Sequence, residues 1–402
     1  TTEALAPATY SALAGAAGGR SPLGAAALAW GCGSEGPAGP TGGRCAAGGS
    51  GGGTSTTTAC EGELLELPED PGARGPSPVG ARTVAIGGIT TEIWYPAAPG
   101  SETGAAAVDY DIRQFLPPAE AAKISDAKNP LQTCNCYRDL PLDGDHGPYP
   151  VIVFIHGTGA FRSQSLSQME HWASRGFVVL SQDHPRLYLA DALQLMMGPD
   201  LVGDTTALLD ALASPSGDLA FLDGHLDLAR IGMAGHSAGG GGIATFGDRP
   251  GVEVLIPMAS RGVAEGAALR STVVMGARDD GVVPYSSQVS GYDSSPKKKR
   301  LVGLSNAGHL AFSDLCGLLN SDGEDLVEIA IAAGVTNANL FSLLWDGCDD
   351  GQLAPSRAIE IVNYVTAAAF EEQLRCDDRR TAQLAALPAT FTEVFELREE
   401  LE

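Results

Sequence analysis

An α/β fold with a mostly parallel sheet, covered by helices on both faces, is predicted by three features of the sequence. From residue 82 onward, short runs rich in Val, Ile and Leu recur, stretches of helical spacing lie between them, and most of the runs are continuous rather than alternating. Continuous apolar runs suit strands buried on both faces, and their alternation with helices implies parallel crossovers.

The elements follow in order. Residues 82–85 and 89–96 read as an antiparallel pair joined at Gly87 and Gly88. Strands are then expected at 151–155, 177–181, 231–234, 252–257, 272–275 and 301–304. Between them, Leu166, Met169 and Ala173 share one helical face, with Gly176 as a C-terminal cap, and 201–212 and 359–370 also have helical spacing. Residues 97–147 and 310–355 carry no clear period, and the latter is expected to form a cap.

Composition narrows the function. The first eighty of the 402 residues are too rich in Gly, Ala, Ser, Thr and Pro to supply a core. Residues 1–31 read as an export signal: Arg20, a short apolar stretch, then Gly31 and Cys32, as at a bacterial lipoprotein cleavage site. Residues 32–80 read as a flexible tether, 81–376 as the catalytic domain and 377–402 as a C-terminal tail. Cys32 is thus a candidate membrane tether, and a secreted or cell-envelope location is expected. No apolar run reaches eighteen residues. A formal charge of −24, with 49 acidic against 25 basic residues, argues against nucleic acid. The basic run from Lys297 to Arg300 reads as a solvated turn before a strand. Eight widely spread cysteines favour disulfides over a metal site. Cys134 and Cys136 stand too close to bridge each other without strain, so each is expected to pair with a distant partner.

The chemistry rests on four motifs. Gly235-His236-Ser237-Ala238-Gly239 follows the strand 231–234 and precedes a helix-compatible stretch, the strand-turn-helix setting of an α/β-hydrolase nucleophile, with glycines where neighbouring chain must pass. Upstream, His156-Gly157-Thr158-Gly159 ends the strand 151–155. That turn supplies one oxyanion donor, and the residue after the nucleophile supplies the other, which assigns Thr158 and Ala238. After the strand 272–275 come Asp279 and Asp280, and a carboxylate there can orient a histidine. Asp280 is the choice and Asp279 the alternative. His309, in Asn306-Ala307-Gly308-His309, is the sole one of seven histidines that follows both Ser237 and the aspartates, as this fold's order of serine, acid, histidine requires. His156 precedes the serine and is read as bracing its loop.

Residues 235–242, Ile256-Pro257, the loop from Gly276 through Asp280 to Pro284, and Ala307-Gly308-His309 resemble those of the bacterial cutinases and polyester hydrolases, including poly(ethylene terephthalate) hydrolases. Residues 149–151 and 156–162 also resemble the platelet-activating-factor acetylhydrolases. The similarity covers roughly 82–376. It implies an α/β-hydrolase fold, a serine esterase activity, and a substrate site to which Phe161 and Arg261 contribute. The polyester hydrolases form an apolar clamp from an aromatic at the oxyanion turn, a methionine after the nucleophile and a tryptophan after the next strand. Thr158, Ala238 and Arg261 stand at the matching positions here. The acetylhydrolases place their acid after the strand ending at Pro257, where this chain has Ser260 and Arg261.

The sequence therefore predicts a carboxylic ester hydrolase for short-acyl or polyester-type esters, with Ser237 as nucleophile, His309 as base and Asp280 as its orienting acid. No cofactor or metal is implied. The alternatives are a phospholipid short-acyl esterase, a thioesterase or peptidase, and a non-catalytic surface binding protein on the same scaffold.

Overall fold

The protein, as a computed structural model, is described at Cys60 and over residues 65–402. The expected export signal 1–31, Cys32 and most of the 32–80 tether lie outside the described residues. The strands are β1 (Val79–Ile86), β2 (Ile89–Pro96), β3 (Ala107–Asp111), β4 (Leu131–Arg138), β5 (Tyr149–Ile155), β6 (Val178–Gln182), β7 (Leu226–His236), β8 (Val252–Met258), β9 (Ser271–Ala277), β10 (Lys299–Leu304) and β11 (Val394–Glu400). The helices are α1 (Pro118–Ala121), α2 (Leu166–Ser174), α3 (Leu189–Leu193), α4 (Leu201–Leu212), α5 (Ala238–Gly242), α6 (Tyr285–Ser294), α7 (Leu326–Ala332), α8 (Pro355–Leu374), α9 (Arg379–Ala385) and α10 (Leu387–Thr390).

All eleven strands join one sheet in the order β11-β10-β9-β8-β7-β5-β6-β2-β1-β4-β3. The run from β6 through β5, β7, β8 and β9 to β10 is parallel throughout. The β1/β2 pair is antiparallel and turns at Gly87 and Gly88, whose φ of 60° and 82° suits a two-residue hairpin. The chain passes from β5 to β6 on one side and then crosses to β7 on the other. This reversal opens a crevice at the carboxyl ends of β5 and β7, where ligands of open α/β sheets bind.

Period-two geometry sends successive residues of a strand to opposite faces. In β5, Ile152 and Phe154 join a core with Met169 and Trp172 of α2 and Val365 and Phe370 of α8. Val151, Val153 and Ile155 join the opposite core with Leu208, Leu209 and Leu212 of α4. Burial on both faces is what leaves the strand apolar without alternation.

Three readings are corrected here. The tail 377–402 is not a tail: it forms α9, α10 and β11, and β11 pairs antiparallel with β10 as the sheet edge. The end of the tether, 65–78, is held in place. Arg380 donates to the carbonyls of Glu69 and Pro68, Arg175 to those of Asp70 and Ala73, and Arg375 to that of Leu65. Arg175 and Arg380 both pair with the buried Glu371, so two guanidinium groups share one carboxylate, and these carbonyls take up their remaining donors. The third correction concerns the cysteines. Cys134 and Cys136 bridge each other, with Cα atoms 5.0 Å apart. A bulge makes this possible: Val108 pairs with Cys134 while the adjacent Ala107 pairs with Tyr137, and the kink in β4 draws the two cysteines within disulfide range. The other bridges are Cys60–Cys376 and Cys316–Cys348.

His171 of α2 is 5% exposed and donates from Nε2 to the Pro71 carbonyl at 2.8 Å. Burial pushes its pKa down to about 3, and the charge of Arg175 acts in the same direction. Because the folded pKa lies below the unfolded one, stability from this group is full above about pH 6.5 and is lost as pH falls towards 3. In urea titrations between pH 6 and pH 4, His171→Gln should flatten the fall in unfolding free energy by about 1.4 kcal/mol per pH unit. Parallel curves for the variant and the wild type would mean that His171 titrates normally inside the fold.

Candidate active site

The elbow after β7 places Ser237 at φ 55° and ψ −118°. Two glycines make room for the turn. A Cβ on Gly235 would lie 2.4 Å from Gly239, and one on Gly239 would lie 2.0 Å from the Ile155 carbonyl oxygen. The Ser237 N–H donates to the Met258 carbonyl at 2.9 Å, tying the turn to the end of β8.

Ser237 Oγ lies 2.9 Å from His309 Nε2, and His309 Nδ1 lies 3.0 and 3.1 Å from the two Asp280 oxygens. His309 is 2% exposed and Asp280 6%. The carboxylate next to Nδ1 puts the ring proton there, leaving Nε2 bare to accept from the serine hydroxyl. Asp279, the alternative acid, is exposed, and its N–H donates to the Ala307 carbonyl. The Asp280 carboxylate is itself fully held: Oδ1 accepts from the N–H groups of Val282 and Val283 at 2.9 and 2.7 Å, and Oδ2 accepts from Gln288 Nε2 at 2.8 Å.

The turn after β5 faces the elbow so closely that a Cβ on Gly157 would lie 3.4 Å from Ser237 Cβ. Thr158 N–H has no hydrogen-bond partner among the described residues. Ala238 opens α5, where the first N–H groups lack intrahelical partners. His156 braces this turn: Nδ1 donates to the Gly157 carbonyl at 2.8 Å, and Nε2 accepts from the His184 N–H. Burial holds its pKa down at about 3, so it stays neutral.

Several contributors carry no motif. Gln164 accepts from Gly157 N–H with Oε1 and donates with Nε2 to His236 Nδ1, each at 2.8 Å. His236 is held neutral by burial, its pKa pushed down to about 3, and it donates from Nε2 to the His309 carbonyl at 2.9 Å. One chain of hydrogen bonds thus joins the β5 turn, the elbow and the histidine loop. Gln288, fully buried on α6, binds Asp280 and accepts from Ala277 N–H at 3.0 Å. Asp346 and Phe341 come from the 310–355 segment. The Phe341 ring lies on Gly159, where an added Cβ would meet Cε1 at 2.1 Å.

That segment folds as α7 and short 3₁₀ turns and is closed by Cys316–Cys348. It packs against the other unassigned stretch: Thr336 donates to Glu120, Lys123 to the Gly334 carbonyl, and Lys128 to Asp322 and Glu324. Phe161, expected to touch substrate, is instead 2% exposed and stacks on Phe115 with centroids 4.2 Å apart. It packs beneath the turn because Ile112, Leu310 and Leu315 enclose it. Arg261 is exposed and lines a shallow hollow with Ser287, Ser290 and Ser294 of α6.

Residues 140–318, which include Ser237, Asp280 and His309, match a family model described as PET hydrolase-like. A bis(hydroxyethyl) terephthalate hydrolase of Streptomyces coelicolor is 29% identical over 179 residues, which cover 42% of this chain and 54% of that protein. The chain therefore spans about half the length of this curated relative. Among solved structures, a ferulic acid esterase from Streptomyces cinnamoneus superposes with a TM-score of 0.54 at 19% identity, over 76% of this chain and 92% of the other. At that identity the likeness speaks for the fold. The chain has the α/β-hydrolase fold, and the resemblance to polyester hydrolases seen in its motifs holds.

Proposed function

We propose that the protein hydrolyses carboxylic esters of short-acyl or polyester type through Ser237, His309 and Asp280. The observation that carries this reading is the hydrogen-bond relay from Ser237 Oγ through His309 to Asp280, with each contact between 2.9 and 3.1 Å. His309 Nε2 takes the hydroxyl proton as Oγ attacks the ester carbonyl, and Asp280 stabilises the imidazolium that forms. The amides of Thr158 and Ala238 receive the oxyanion. His309 then protonates the leaving alcohol, and a water, activated in the same way, releases the acid and restores the serine. The acid position supports the cutinase-like arrangement over the acetylhydrolase-like one, since Ser260 and Arg261 follow β8 and no aspartate stands there.

Three features bear on substrate and setting. Phe341 provides an aromatic face beside the oxyanion turn, from a different part of the chain than the clamp of the polyester hydrolases. Leu340 and Leu343 beside it are 43% and 78% exposed, an apolar rim suited to poorly soluble esters. Cys60–Cys376 and Cys316–Cys348 suit an oxidising compartment, which supports export to the cell envelope or beyond it, with Cys32 as the anchor.

On a chromogenic acetate or butyrate ester, Ser237→Ala and His309→Ala should each lower kcat on the order of 10⁴-fold. Asp280→Asn should be severe and Asp279→Asn mild, and the reverse ranking of the two would move the acid to Asp279. Phe341→Ala should lower kcat/KM for a benzoate ester by about 30-fold, since roughly 80 Å² of lost apolar contact is worth about 2 kcal/mol. Acetate turnover should change little, and an equal fall for both esters would show that Phe341 supports the turn without touching the acyl group. For export, mass spectrometry of the native protein should find an N-terminal acylated Cys32. An intact segment from Thr1 to Cys32 without acylation would rule the anchor out.

A further inference from the structure

The Asp346 side chain lies between the two loops that carry His309 and Asp280. Its Oδ2 accepts from His309 N–H at 2.7 Å and from Gly281 N–H at 3.0 Å. One carboxylate oxygen therefore grips the backbone of the histidine itself and that of the residue directly after the acid. The Asp346 carbonyl also accepts from Leu310 N–H at 2.8 Å, so the histidine loop is held at two successive amides.

Three further contacts keep Asp346 in place. Gly347 has φ 100° and packs backbone to backbone on Gly308, where an added Cβ would lie 2.5 Å from Gly347 Cα. Cys348 is bonded to Cys316, which lies shortly beyond His309 in the chain. Trp345 packs against the cluster that contains Phe115, Phe161 and Leu310. The ladder between β9 and β10 runs to Leu304 and Ala277, and beyond it Arg278 N–H donates to the Leu304 carbonyl and Asp279 N–H to the Ala307 carbonyl, so these bonds stop one residue short of Asp280 and two short of His309, where Asp346 takes over.

We propose that Asp346 is a positioning residue that sets the separation of Asp280 and His309, and so the alignment of His309 with Ser237. The proposal rests on the reading of these three residues as the reacting triad. A bond between charged carboxylate and N–H is stronger than a neutral one, and two of them on one oxygen give a short, directional link. Displacements of the order of 1 Å at a reacting pair cost about 10²-fold in rate, which makes such a link consequential.

The test measures kcat and KM for a chromogenic butyrate ester in wild type, Asp346→Ala, Asp346→Asn and Asp346→Glu, with Ser237→Ala as control. Asp346→Ala should lower kcat on the order of 10²-fold with KM nearly unchanged. Asp346→Asn keeps an acceptor oxygen at the same reach and should restore kcat to within about fivefold of wild type. In an Asp280→Ala background, adding Asp346→Ala should cost at least about fivefold less than in wild type, because only the hold on His309, and no longer its separation from the acid, remains to be lost. A purely structural role would give the full loss in both backgrounds and would overturn the proposal, as would wild-type kcat in Asp346→Ala. Should Asp346→Ala fail to fold, Asp346→Glu carries the test. It moves the oxygens by one methylene and should lose at least about tenfold where Asn does not, and a fully active Glu variant counts against the proposal. Turnover that survives Ser237→Ala would sink the triad reading instead, a result separable from all of these.

Discussion

Ser237 holds its backbone at φ 55° and ψ −118°, a conformation that costs an L residue on the order of 1–3 kcal/mol. It persists because both sides of the turn are fixed. β7 lies between β5 and β8 in the centre of the sheet, and its last residue, His236, pairs with Met258 of β8. The helix that follows is pressed so closely on β5 that Gly239 has no room for a side chain against the Ile155 carbonyl. Relaxing φ at Ser237 would break its bond to Met258 and drive α5 away from β5. The strain is thereby converted into exposure of one hydroxyl at the crevice where the strand order reverses.

The proposed nucleophile is useful only if its partners arrive at the same point, and they come from loops that run beyond the sheet ladder. Buried amides perform much of this registration. Gln164 bridges the β5 turn to His236, which reaches the His309 carbonyl, and Gln288 bridges Asp280 to the end of β9. A neutral amide offers both a donor and an acceptor, so it can join two loops without burying an additional charge. The two buried histidines in this network, His156 and His236, act likewise as neutral linkers, each donating from one nitrogen and accepting at the other. Only His309 faces both a carboxylate and a hydroxyl.

What the sequence disclosed follows from how local each signal is. The parallel strands announce themselves because burial on both faces demands apolar residues throughout. The Ser237 turn is legible because its serine and both glycines stand together in one short motif, although only Gly235 answers a contact close by in the chain and Gly239 answers the Ile155 carbonyl of β5. β11 was hidden for the opposite reason: as an edge strand it carries Glu396, Arg398, Glu399 and Glu400, charges that discourage edge pairing and also erase the apolar pattern. The stretch 65–78 looks like tether because its role lies in backbone carbonyls offered to distant arginines, which composition does not record. Phe161 carried a motif-level resemblance, yet it packs beneath the turn, while Phe341 reaches Gly159 from a segment without periodicity. The Cys134–Cys136 bridge depends on a bulge in β4, a feature of pairing rather than of spacing.

The 310–355 segment brings two tasks together. Phe341 meets the turn after β5, and Asp346 meets the loops of Asp280 and His309 a few residues later. Residues 326–343 rest on α1, α3 and their surroundings through a buried apolar cluster of Ile124, Leu193, Ile329, Val335 and Ala338, on which Phe341 packs, and through polar contacts such as Asn337 to the Leu193 carbonyl. From Trp345 onward the contacts become a packed indole, a glycine-on-glycine backbone contact and a disulfide. Backbone packed on backbone has almost no slack. Asp346 is thus anchored by contacts of its own, in a different apolar cluster from the one under Phe341.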